Sequence, residues 1–135
     1  PVVQINTSGG CHLDANMVDQ VLESLDLENL DLIIIENVGN LVCPAEFNIG
    51  EDVKVTVLSI AEGEDKPLKY PLMFSVCDLV LISKIDTLDY FYFDIEKAKE
   101  NIKNLNPNAT ILCVSAKSGE GMDEFVDWLK ERINN

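Results

Sequence analysis

A chain of 135 residues, 47% of them apolar, is sized for one domain, residues 1–135, around one core. Its formal net charge of -14 repels phosphate backbones, so nucleic acid is not an expected partner. No apolar run is long enough to cross a bilayer, and the first residues carry no basic stretch leading into an apolar one. Neither a membrane nor an export signal is therefore expected, and the cytoplasm is the expected compartment. The four cysteines, Cys11, Cys43, Cys77 and Cys113, are too few for a disulfide scaffold. In a reducing compartment they are core residues, reactive thiols or metal ligands.

In chain order, residues 2–5 read as a first strand. Val18, Val21, Leu22 and Leu25 then recur at helical spacing, with Asp14 placed to cap the helix. Residues 32–35 form a run rich in β-branched side chains, the mark of a second strand buried on both faces. Residues 37–52 make the longest irregular connection, and loops of that length are often functional. Residues 53–60, 79–82 and 111–114 predict three further strands. Ile95, Ala98, Ile102 and Leu105 form a helical stripe before the last of these, with Pro107 beyond its end. Met122, Phe125, Val126 and Leu129, widened by Trp128 and Ile133, predict a closing helix. Strands separated by helices imply an α/β fold with a mostly parallel sheet and helices on both faces.

In such sheets ligands bind beyond the carboxyl ends of the strands. The unusual polar residues fall there. Cys11 and His12 follow the first predicted strand. Glu36, Asn37, Gly39, Asn40 and Cys43 follow the second. Ser83, Lys84 and Asp86 follow the fourth, and Ser115, Ala116 and Lys117 the fifth. Ser83-Lys84-Ile85-Asp86 has the shape of a guanine-reading motif. A carboxylate at Asp86 can accept from both N1 and N2 of guanine, a donor pair that adenine lacks. A strand end with a solvated lysine and a turn aspartate would read the same. Ser115-Ala116-Lys117 after the next strand matches the companion motif, and together the two favour guanine. Residues 32–39 resemble a Walker B strand running into switch II. Glu36 would act on Mg²⁺ directly or through water, and Gly39 would let the backbone approach a terminal phosphate.

Thiolate and imidazole suit Zn²⁺ or Ni²⁺ rather than Mg²⁺ or Ca²⁺. Adjacent Cys11 and His12 can share an ion only in a turn, which Ser8-Gly9-Gly10 can supply. Cys43 lies in the loop after Gly39 and can reach the same edge. A structural role for the Cys-His pair is the alternative. Cys77 and Cys113, in apolar surroundings, are expected in the core.

The sequence closely resembles the hydrogenase and urease nickel-incorporation GTPases known as HypB. The resemblance rests on residues 3–7, Cys11-His12-Leu13, residues 34–44, residues 62–71, Ser83-Lys84-Ile85-Asp86 and residues 115–121. The string Glu36-Asn37-Val38-Gly39-Asn40-Leu41-Val42-Cys43-Pro44 is the most specific, because it joins a switch motif to a cysteine. The resemblance implies a P-loop GTPase fold that binds GTP or GDP with Mg²⁺. It implies a Ni²⁺ or Zn²⁺ site made by Cys11, His12 and Cys43 near the interface of a GTP-promoted homodimer. It also implies delivery of nickel to a hydrogenase precursor, with an accessory nickel metallochaperone.

Three departures stand out. Ser83 replaces the usual Asn of the guanine motif, and Glu36 the commoner Asp. No Gly-x-x-x-x-Gly-Lys-Ser/Thr occurs; the family carries it, with the sheet's first strand, N-terminal to the region matched here. The chain reads as the C-terminal part of such a GTPase, expected to be inactive alone. The rival readings are a non-enzymatic Zn/Ni-binding dimerisation module and an ordinary signalling or ribosomal GTPase. The latter leaves Cys11, His12 and Cys43 unexplained.

Overall fold

The computed structural model describes residues 1–133, and its contacts divide the chain into two compact units, Pro1–Asp52 and Val53–Asn135. In the first unit, helix α1 spans Ala15–Leu22. Asp14 is extended and its carboxylate accepts from the Met17 amide at 2.9 Å, so the expected cap forms. Leu25, read as part of the same stripe, lies beyond the helix end. Leu13, Val18 and Ile49 form a small core, packed by Ile5, Met17, Leu22 and Ile35.

Residues 2–5 and 32–35 do not form the predicted first and second strands. Among the described residues the sheet has three strands, and neither segment is one of them. A strand exists only against a neighbour that completes its ladder of backbone hydrogen bonds. Apolarity draws Ile5 and Ile35 into the small core, while Val2, Ile33 and Ile34 remain exposed. The long connection over residues 37–52 is not wholly irregular. Cys43–Glu46 form a one-turn helix, α2, with Pro44 in its first turn, where a missing N–H costs nothing.

The second unit carries the α/β sheet. Strands β1 (Val55–Ser59), β2 (Leu79–Ser83) and β3 (Thr110–Val114) are parallel in the order β1-β2-β3. The third strand expected over residues 53–60 is shorter than predicted at both ends. Short helices α3 (Lys66–Lys69) and α4 (Pro71–Val76) join β1 to β2. Helix α5 (Ile95–Leu105) joins β2 to β3, and α6 (Met122–Ile133) closes the chain. Asp94 caps α5 by accepting from the Lys97 amide at 2.9 Å.

Register explains the burial. Val55, Leu79 and Thr110 are aligned across the sheet, so alternate residues of all three strands share a face. On one face Leu79, Leu81 and Val114 pack with Trp128 of α6. The opposite face presents Leu58, Val80 and Ile82, all fully buried, as are Phe74 of α4 and Ala98 and Ile102 of α5. The central strand β2 is thus buried on both faces, the setting that an unbroken apolar run suits.

One glycine is fixed by packing as well as conformation. Gly121 has φ of +71°, and a Cβ there would run into the carbonyl oxygen of Cys113 at the end of β3. Gly121→Ala is expected to destabilise the unit by about 1–3 kcal/mol, since backbone cannot yield as a side chain can. A urea titration checks this; an unchanged midpoint would contradict it.

Candidate functional site

The first cluster is built by two loops of the first unit. Ser8 and Gly9 both have positive φ, and the Gly10 amide donates to the Thr7 carbonyl at 2.9 Å. This is a tight primed turn, which reverses the chain ahead of Cys11 and His12. Cys43 begins α2 on the other loop. The sulfurs of Cys11 and Cys43 lie 2.7 Å apart, and Cys11 Sγ is 3.5 Å from Nδ1 of His12. One donor atom from each of the three residues falls within 4.8 Å of the others. The His12 ring stacks on Phe47 with centroids 3.8 Å apart and planes 6° from parallel.

This donor set fits a borderline divalent ion. Metal–sulfur bonds of about 2.3 Å and metal–nitrogen bonds of about 2.0 Å in a tetrahedron put donors roughly 3.5–3.8 Å apart. The Cys11–His12 pair is already at 3.5 Å, while the two sulfurs, at 2.7 Å, must part by about an ångström around an ion. Cys11 is exposed and free to give. The hydrogen bond with Cys11, then desolvation and the charges of Cys11 and Glu46, holds the Cys43 thiol above its ordinary pKa.

Two asparagines join the loops. Asn40 Nδ2 donates to the Cys11 carbonyl at 2.7 Å, while its Oδ1 accepts from the amides of Val42 at 3.1 Å and Cys43 at 2.9 Å. Asn37 Oδ1 accepts from the amides of Leu13 at 2.9 Å and Val38 at 2.8 Å. Sequence reading missed these contacts and the Phe47 stack. The signal it could have used is Asn three residues before a helix start, a spacing at which a side-chain oxygen can cap amides. Glu36 and Gly39 are exposed on the loop that runs through both asparagines into Cys43. An added Cβ at Gly39 would meet nothing within 4 Å, so the backbone there is open to approach.

The second cluster lies beyond the carboxyl ends of β2 and β3. Ser83 ends β2 and Lys84 follows in a left-handed conformation, φ 62°. The Lys84 carbonyl accepts from the amide and hydroxyl of Thr87, at 2.9 and 2.7 Å, closing a single 3-10 turn that carries Asp86. Fully buried Ser115 donates its hydroxyl to Asp86 Oδ1 at 2.6 Å and accepts from the Ser118 amide at 3.1 Å. The hydroxyl proton is thereby committed to the carboxylate. Lys117, exposed, lies 4.0 Å from Asp86 Oδ2, and Ala116, between Ser115 and Lys117 in the chain, is exposed. The motif pair predicted from sequence is thus brought together, and Ser115 acts on Asp86 through its side chain as well.

Cys77 is 3% exposed, and burial pushes its thiol above the ordinary pKa. Cys113, expected in the core, is only half-buried, though burial raises its pKa too. With native protein, iodoacetamide is expected to modify Cys11 and Cys43 well before Cys77, which should react only on unfolding. Peptide mapping of the alkylated protein checks the order.

A parallel sheet with polar loops gathered at its carboxyl edge is the architecture of a nucleotide-binding α/β domain. The family model "CobW/HypB/UreG, nucleotide-binding domain" matches residues 1–113, and the chain belongs to that family. It is 52% identical over 130 residues to the hydrogenase maturation factor HypB of Escherichia coli K12, covering 96% of this chain and 45% of that protein. It is 42% identical over 133 residues to the hydrogenase/urease maturation factor HypB of Helicobacter pylori J99, covering 96% of this chain and 55% of the relative. The chain therefore spans about half the length of these relatives. The crystal structure of Archaeoglobus fulgidus HypB superposes with a TM-score of 0.89 at 40% identity, covering 96% of this chain and 63% of that one. That of Helicobacter pylori HypB in complex with nickel gives 0.93 at 41% identity, covering 98% and 63%. Among the described residues no helix is long and apolar enough to cross a membrane.

Proposed function

We propose that this chain is part of a GTP-dependent nickel carrier that serves hydrogenase maturation. In this reading Cys11, His12 and Cys43 hold nickel as cargo. Three protein ligands leave a coordination position for water or a second subunit, which suits an ion that must be released. The observation that carries the reading is the convergence of two thiols and an imidazole within 4.8 Å on exposed loops. The nickel complex of the Helicobacter pylori relative supports it. Asp86 reads guanine, held by Ser115, while Ser83, Lys84, Ala116 and Lys117 shape the base pocket. Glu36 and Gly39 act on Mg²⁺ and the terminal phosphate, so hydrolysis would move the loop that bears Cys43. A homodimer, the hydrogenase precursor and a nickel metallochaperone are the proposed partners.

The test uses the full-length protein with Mg²⁺, scored for GTP turnover and for nickel affinity with GDP and with a GTP analogue. Turnover together with nucleotide-dependent nickel affinity is expected. Nickel binding without GTP binding would instead indicate a metal-binding module.

A further inference from the structure

We infer that Asn40 and Asn37 are positioning residues that clamp the Cys11-His12 loop to the Cys43 loop and assemble the three donors before any ion arrives. The inference rests on the metal-site reading above. Both ends of the Asn40 carboxamide are engaged. Its amide holds the Cys11 carbonyl across a separation of 29 residues, while its oxygen caps the amides of Val42 and Cys43. The orientation is unambiguous, because a carbonyl only accepts and backbone amides only donate. Asn37 holds the other side of the ligand pair through the Leu13 amide, across 24 residues. His12 therefore sits between two tethered backbone points, and its ring is held flat against Phe47.

The chemistry restricts what can occupy these positions. At Asn40 an Asp could cap the amides but could not donate to the Cys11 carbonyl. A Ser could cap yet is too short to span both loops. Without the clamp, loops so distant in sequence would wander, and binding would have to order them first. Outer-shell partners of metal ligands commonly hold geometry in this way.

The test compares full-length wild type with Asn40→Ser and Asn37→Ser, each verified as folded by circular dichroism. The first readout needs no metal: bridging of Cys11 to Cys43 by dibromobimane in metal-free protein, with Cys11→Ala as the blank. Losing the inter-loop hydrogen bond should slow bridging about tenfold. The second readout is nickel titration, in which dissociation constants should rise by about 10–100-fold. Asn37→Ser leaves the Asn40 contacts intact and serves if Asn40→Ser does not fold. Bridging at the wild-type rate in the folded variants overturns the clamp, whatever nickel does. Slowed bridging supports it even if wild type fails to bind nickel, a failure that would count against the metal-site reading alone.

Discussion

Asp86→Asn in the full-length protein is expected to weaken GTP binding by about 30- to 1,000-fold, the equivalent of about 2–4 kcal/mol. The carboxylate is the group able to accept from both N1 and N2 of guanine. An amide in its place would set a donor against a donor. Xanthine presents a carbonyl at C2, so the variant should bind XTP better than the wild type does. The arrangement around Asp86 makes the effect local. Ser115, fully buried, donates to Oδ1 at 2.6 Å, and Asn can accept that bond through its own oxygen. The loop should therefore persist while its specificity changes. Competition titration with GTP and XTP measures both effects, and undiminished GTP affinity would remove Asp86 from the base pocket.

The second large effect concerns nickel. Cys43→Ala or Cys11→Ala should lower nickel affinity by more than the roughly 10–100-fold typical of losing an outer-shell partner, because a thiolate ligand is itself removed. Cys77→Ala should leave it unchanged, since that thiol is buried against the sheet. Thiolates must shed protons to ligate, so wild-type affinity should fall as the pH is lowered. Equilibrium dialysis of the three variants against nickel decides the matter. Wild-type affinity in both Cys11→Ala and Cys43→Ala would refute the cluster as the binding site.

Local chemistry was legible in the sequence wherever it was self-contained. The stripe of α5 predicted a helix with its observed limits, Ile95–Leu105, because an amphipathic face and a following Pro are local signals. The run over residues 79–82 was legible as a strand, and it finds a pairing neighbour on each side and cover on both faces. The same logic failed over residues 32–35. There Leu32, Ile33 and Ile34 stay exposed, because apolar side chains favour burial but do not supply the backbone that must pair with them. Helices α3 and α4 were not predicted, although Pro67 and Pro71 stand in their first turns. At the candidate site the donor types were visible, and so was their placement after apolar runs. The bonds of Asn37 and Asn40 were not, because they join loops whose closeness no spacing rule encodes.

The distribution of aromatic residues makes the two units optically distinct. The single Trp, Trp128, and all three Tyr, at positions 70, 90 and 92, fall in the second unit. Trp128 is buried against Leu79, Leu81 and Val114, with its indole N–H directed to Thr110 Oγ1 at 3.3 Å. Within this chain, indole and phenol emission therefore tracks the second unit alone. The first unit holds neither indole nor phenol, and if Cys11 and Cys43 bind nickel as proposed, thiolate-to-nickel charge transfer becomes its marker. Two wavelengths then follow the two halves separately. A shift in Trp128 emission on adding nickel would record a signal that has travelled from one unit to the other.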